Sequence, residues 1–160
     1  MFTRAKFLRL SATAAAALML TPVVKTKAGS DDGVVRVKSA YGFQETIARL
    51  KADIAAKGIK FFSEIDQSKL AADADIKLNP STLLVFGNPP LGTQFMTSNP
   101  NSGLDWPVRL LVIQDNVGTV WAVYTDFAWI AARHGITDRD DQFKMASMVI
   151  ASITSSVKPK

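Results

Sequence analysis

The chain has 160 residues, 48% of them apolar, with a formal net charge of +5, one histidine and no cysteine. Of its 19 Lys and Arg, five lie in the first 27 residues, where there is no Asp or Glu, and the other 14 balance the 14 acidic residues. A neutral remainder excludes the broad basic face used to bind nucleic acid, and the missing cysteine excludes disulfides, thiolate metal sites and cysteine nucleophiles.

The opening segment has the order of an export signal. Arg4, Lys6 and Arg9 precede an apolar run over residues 10–20, extended by Val23 and Val24. Thr26 and Ala28 are small residues suited to cleavage after Ala28. The run is shorter than the roughly 20 apolar residues of a spanning helix, so an uncleaved anchor is the lesser alternative. Phe7-Leu8-Arg9 lies in register with a twin-arginine motif, but Ala5 occupies the second arginine's place, which favours the general secretory route. The expected division is a signal peptide over 1–28, a linker over 29–32 and one domain over 33–157. The expected compartment is the bacterial periplasm, with no membrane attachment after cleavage. A domain of this length can hold itself by a hydrophobic core alone.

Residues 33–39 alternate Val35 and Val37 with Arg36 and Lys38, the period of a half-buried strand. Gly42 can cap a helix whose apolar stripe is Phe43, Ile47, Leu50 and Ile54; Glu45 and Arg49 pair along it, and Gly58 closes it. Residues 60–66 form a second strand, 67–75 a short helix broken at Asn79-Pro80, and 83–86 a third strand stopped by Gly87-Asn88-Pro89-Pro90. Residues 91–107 are irregular, with a helical turn near 93–97. Strands over 108–113 and 119–124 flank Asp115-Asn116-Val117-Gly118, the spacing of a hairpin. A helix over 127–134 ends at Gly135. Thr137 or Asp138 caps the last helix, whose inner stripe is Phe143, Ala146, Ile150 and Ile153. Three strands in succession favour an α+β fold with an antiparallel sheet over a doubly wound one.

The strands are apolar on both faces. Leu110 and Val112 oppose Leu111 and Ile113, while Trp121 and Val123 oppose Val120, Ala122 and Tyr124. Leaving one such face in water costs about 1.5–3 kcal/mol per large side chain. Either a homodimer covers it, or residues 91–107 fold back over it.

Two motifs are specific in combination. Val85-Phe86-Gly87-Asn88-Pro89 ends a strand; Gly92-Thr93-Gln94-Phe95-Met96 follows; Leu104-Asp105-Trp106-Pro107-Val108-Arg109 leads into the strand pair. With these the chain resembles the bacterial domain of unknown function 302 family over about residues 33–155. The resemblance implies a β-α-β(4)-α arrangement of about five antiparallel strands gripped by helices (helix-grip, or TBP-like) and a homodimer. It implies no activity. Many members carry a histidine in an I-D-H pattern after the second strand; Ile65-Asp66-Gln67 departs from it.

No catalytic constellation stands out. His134 sits where a helix ends, which suits a capping or surface role. A single imidazole argues against zinc or haem; Met96, Met145 and Met148 are thioethers that could ligate copper(I), but Met145 and Met148 at helical spacing read as core filler in preference. Asp105 and Arg109 flank Trp106-Pro107 and read first as an ion pair at the strand entrance, second as a site for a carboxylate or phosphate. Asn88 and Gln94, with Asp105 and Arg109, are the candidate ligand-binding residues; Asp105, Arg109 and His134 are the weak catalytic candidates. Ser98 and Ser102 lack a G-x-S-x-G context, and Asp73-Ala74-Asp75 lacks the rest of a calcium loop. No metal or cofactor is expected. The reading is an exported, non-catalytic, dimeric module for a small apolar or amphipathic molecule or an exported protein partner. The alternative is an enzyme acting on a small periplasmic substrate through residues 88–109.

Overall fold

The computed structural model describes residues 32–160; the expected signal peptide and most of the linker lie outside them. Five strands form one antiparallel sheet: β1 (Val34–Lys38), β2 (Lys60–Asp66), β3 (Ser81–Gly87), β4 (Val108–Gln114) and β5 (Val120–Thr125), in spatial order β1-β5-β4-β3-β2. The helices are α1 (Phe43–Ala56), α2 (Gln67–Asp73), α3 (Pro89–Ser98), α4 (Phe127–Arg133) and α5 (Asp140–Ser155), with a 3-10 turn at Pro100–Leu104. Without α2, α3, α4 and the 3-10 turn, the chain runs β-α-β(4)-α.

The alternation read from the strands decides which side the helices take. Cross-strand pairing aligns Leu84 with Leu110 and Val112 with Ala122, and all four are fully buried. Leu50 and Ile54 of α1 and Ile150 and Ile153 of α5 close over them. The α1 stripe is as the periodicity predicts, with Thr46 added: its hydroxyl is satisfied by Gly42 O at 2.9 Å and by Ser39 Oγ at 2.7 Å. Gly58 ends α1 at φ +64°, where a side chain would be strained.

Pairing puts the other apolar set in rows on the opposite face, Ile65-Leu83-Leu111-Val123 and Ile113-Trp121. Most of these side chains are half-buried by one another; Ile65 is exposed. Among the described helices only α2 reaches this side, at its Ser81 end, where Ser81 Oγ donates to Gln67 Oε1 at 2.7 Å. Residues 91–107 do not fold over it. They form α3 and the 3-10 turn on the helical side, with Phe95 buried against α5.

The sequence expectation errs at two helix starts. Pro89-Pro90 reads as a stop to β3, and it is one; the same pair also begins a ten-residue helix. Proline lacks only an N–H that the first turn leaves unpaired anyway, and its fixed φ suits that position. At α5 the capping position is Arg139, with neither Thr137 nor Asp138 in it. Asp138 is engaged elsewhere, accepting from Ser98 Oγ of α3 and from Arg139 at 2.7 Å.

The β4–β5 hairpin is closed by one carboxylate. Asp115 accepts from Trp121 Nε1 at 2.9 Å, Thr119 N at 2.8 Å and Val117 N at 3.1 Å. The indole bond first, then the backbone bonds, hold its pKa below the ordinary value. A depressed carboxylate stabilises the fold above its unfolded pKa, and that contribution is lost as pH falls through the folded value. Below about pH 4 the wild type should therefore lose stability relative to Asp115→Asn, and acid titration of thermal melts of both proteins measures this.

Candidate functional site

The segment between β3 and β4 builds the site. Asn88 ends β3, α3 runs back over the sheet, and the 3-10 turn returns the chain to β4 through Asp105 and Trp106. The Trp106-Pro107 peptide is cis. The Trp106 indole lies flat on α3: a Cβ at Gly92 would stand 1.7 Å from its Nε1, and one at Gly87 3.2 Å away. Only glycine at 92 lets the helix come this close. Phe62, at the bulge in β2, meets the Trp106 ring edge-on at 6.1 Å.

Beyond Trp106, α3 and α5 run antiparallel and stay apart over the ends of β3 and β4. Phe95 stacks on Phe143 with ring centroids 4.0 Å apart, which joins the end of α3 to the start of α5. Toward the start of α3 the two helices leave a cavity of about 380 Å³. Phe86 and Val108 form its floor, Leu91 and Phe95 one wall, Val149 and Ile150 the other. Met145 and Met148 stand at its lip and are more than half exposed, so the core-filler reading is wrong for both. The α5 stripe that is buried, at Phe143, Ala146, Ile150 and Ile153, puts 145 and 148 on the helix's other side. The polar lining is Lys57, Asn88 and Ser152.

Asp105 is the second feature. Its side chain is 4% exposed and takes four contacts: Arg109 Nη2 at 3.1 Å, Arg133 Nη1 at 3.0 and 3.1 Å, and His134 Nε2 at 2.6 Å. The expected ion pair at the strand entrance is present, and it extends to α4. His134 does follow the last residue of α4, but its ring is not at the surface; it is 6% exposed. Its carbonyl accepts from Asn99 Nδ2 at 2.8 Å, so both ends of the residue bind the α3-to-β4 segment. Sequence spacing could not reveal this, because Asp105 and His134 are 29 residues apart. Arg133 also lies 5.6 Å over the Trp129 ring, which in turn covers Gly33.

Two guanidinium groups and an imidazole on one carboxylate make a structural clasp that could also receive an anion. Beside it is a recess of about 20 Å³ bordered by Asp105, Arg109, Tyr124 and Thr125. Burial first, then the Asp126 charge, raises the Tyr124 pKa, so the phenol stays a hydrogen-bond donor. No hydroxyl is hydrogen-bonded to the His134 ring among the described residues, which leaves an acid–base pair without a nucleophile. Ser102 Oγ is buried with no hydrogen-bond partner among the described residues.

The four candidate ligand-binding residues therefore divide. Asn88 lines the large cavity; Asp105 and Arg109 belong to the clasp. Gln94 lines neither, because its Nε2 donates to Pro90 O of its own helix at 2.9 Å. Among the described residues no cluster of three or more His, Asp or Glu is placed to hold a metal ion.

The architecture is an α+β domain with helices gripping one face of an antiparallel sheet. The family described as "Domain of unknown function DUF302" matches residues 35–153, and the chain belongs to it. A crystal structure of an uncharacterized conserved DUF302 protein from Bacillus stearothermophilus has the same fold: TM-score 0.72, 17% identity, covering 79% of this chain and 98% of that one. Three Brucella proteins share a stretch of 106 residues at 39% identity. They are "Fluoride-specific ion channel FluC 1" of Brucella suis, the protein of that name in Brucella abortus, and "FluC 2" of Brucella melitensis. The match spans 66% of this chain but only 39–42% of theirs. No helix among the described residues is long and apolar enough to cross a membrane.

Two substitutions test the site's construction. Gly92→Ala should displace Trp106 and destabilise the domain by about 1–3 kcal/mol, the usual range for overpacking. Asp105→Asn removes the anion shared by three cationic or polar partners. Breaking a buried pair costs about 3–5 kcal/mol, less here because both guanidiniums are half-exposed. Calorimetry should show a melting point lowered by several degrees in each case.

Proposed function

We propose that this domain is an exported, non-catalytic, dimeric module that binds a small apolar or amphipathic molecule between α3 and α5. The cavity of about 380 Å³ carries the reading: its size is within the range of small-molecule sites, and its apolar lining has a few polar groups at one end, as such sites do. The clasp at Asp105 supports it indirectly, by fixing the segment that forms one wall. The enzyme alternative has less support, since among the described residues no hydroxyl is hydrogen-bonded to the His134 ring beside Asp105.

The dimer rests on a different surface. Leu83, Leu111, Ile113, Trp121 and Val123 make a continuous apolar face beyond the reach of α1, α3, α4 and α5. A second copy laid on it would bury these side chains through the same patch on both partners, which is the usual geometry of a two-fold dimer. Export rests on the sequence of residues 1–28.

Native mass spectrometry of protein purified from its own host, together with fluorescence of the apolar probe N-phenyl-1-naphthylamine, tests these points. The expected result is a twofold mass, a leaderless chain and saturable probe binding. Leu111→Asp should halve the mass and leave the probe site intact. A wild-type monomer at tens of micromolar removes the dimer, and absence of probe binding removes the ligand site.

The Brucella proteins support a second reading. Proteins named as fluoride channels contain a stretch like this domain, so the chain could serve a channel as a part outside the membrane. Deleting its gene and measuring growth in fluoride decides this; unchanged tolerance removes it.

A further inference from the structure

The cavity has direction. Asn88 is at the start of α3 and Phe95 near its end; Phe143, stacked on Phe95, is at the start of α5, and Ser152 is near the end of α5. The antiparallel run therefore brings Ser152 and Asn88 to one end of the slot and Phe95 to the other. Lys57 belongs with Asn88, because Lys60, three residues after Lys57, pairs with Gly87, the residue before Asn88. Phe127 belongs with Phe95, since their ring centroids are 6.4 Å apart. The slot is polar at one end and aromatic at the other.

Its length follows from α5. The lining runs from Met145 to Ser152, eight residues spanning about 10 Å of helix. That length suits a chain of about eight to ten carbons, given that bonded carbons in an extended chain advance roughly as far as backbone atoms do.

The polar end offers an ammonium, an amide and a hydroxyl, each able to donate. Lys57 Nζ spends one N–H on Asp53 Oδ2 at 2.6 Å and keeps two. Neither the Asn88 side chain nor the Ser152 hydroxyl is used in capping or in a hydrogen bond within the described fold. An ammonium, an amide and a hydroxyl suit a head that only accepts hydrogen bonds. The methionines at the lip are the adaptable surface a flexible chain prefers over a rigid ring system.

We propose that the cavity binds a medium-chain monocarboxylate, with its carboxylate at Lys57, Asn88 and Ser152 and its alkyl tail toward Phe95 and Phe127. This rests on the reading of the cavity as a ligand site and specifies the ligand's class. The head is anionic, the tail is linear, and the optimum length is set by α5.

Calorimetric titration of the purified protein with hexanoate, octanoate, decanoate, dodecanoate and hexadecanoate tests the tail. Affinity should rise about fourfold per added methylene up to decanoate, as full burial of each CH₂ dictates, and then level off. Decan-1-ol and decyltrimethylammonium test the head. Lys57→Met should weaken decanoate about tenfold and change decan-1-ol less than twofold, and Lys57→Arg should restore decanoate; Lys57 is exposed, so each variant keeps the fold, which its melting point confirms. Affinity independent of chain length, equal binding of the cationic amphiphile, or equal loss of acid and alcohol in Lys57→Met overturns the proposal. If N-phenyl-1-naphthylamine binds and decanoate does not displace it, the carboxylate is wrong and the cavity still binds ligands. If neither binds, both readings fall.

Discussion

Asp105 and Trp106 hold α4 and α3 to the sheet. They are adjacent, yet each fixes a different element. Asp105 holds the end of α4 through Arg133 and His134, and Trp106 holds α3 through its contact with Gly92. Arg109, four residues on, returns from β4 to the same carboxylate. One short segment thus sets the position of both inserted helices relative to β4. This gives the Leu104–Arg109 motif a physical meaning. The aspartate is needed as the common anion, the tryptophan as a flat body against a glycine, and the arginine as the link to the strand.

The cavity follows from that arrangement. Phe95 and Phe143 bring α3 and α5 together at one end, and the Trp106 indole keeps α3 close to β3 at its middle. Phe95 and Phe143 meet at the end of the slot away from Asn88, and the slot lies between the two helices toward the start of α3. Ala146 keeps the lining small where a larger side chain could fill it, whereas Gly87 is held to glycine by the Trp106 ring, 3.2 Å from where a Cβ would stand. Interiors are normally close-packed, and a protein shaped only for stability would favour larger residues at such positions. A cavity framed by aromatic contacts and lined by small or flexible residues is the observation on which the proposed ligand rests.

Much of this fold was legible because the signals were local. The stripe on α1, the alternation in β4 and β5, the hairpin spacing and the two closing glycines each depend on residues within one or two turns of one another. The motif resemblance then supplied the arrangement of elements, which the match over residues 35–153 bears out. The errors share one cause: they concern what packs on a helix from far away in sequence. Pro89-Pro90 stops a strand and starts a helix with equal chemical reason, and only the space above the sheet decides that a helix follows. His134 looks like a helix-end residue and is one, but Asp105, 29 residues earlier, takes its ring out of water. Met145 and Met148 have the spacing of a buried pair, but the helical period puts both on the side of α5 opposite its buried stripe of Phe143, Ala146, Ile150 and Ile153.

The two faces of the sheet differ in shape. On the helical side it is concave and about 10 Å long, the size of a small-molecule site. On the other side the rows of Leu83, Leu111 and Val123 and of Ile113 and Trp121 are broad and open. No small molecule could bury them, whereas a second flat surface could. The edge of that face carries Arg36 and Lys38 on β1, with Arg36 lying 4.8 Å over the Trp121 ring. Those charges guard the free edge of β1 against further strand pairing. In the proposed dimer they would disfavour pairing at the edge, and so favour a closed pair of copies over an open-ended sheet. Because β3 and β4 contribute to both faces, a dimer and a ligand would stiffen the same two strands from opposite sides.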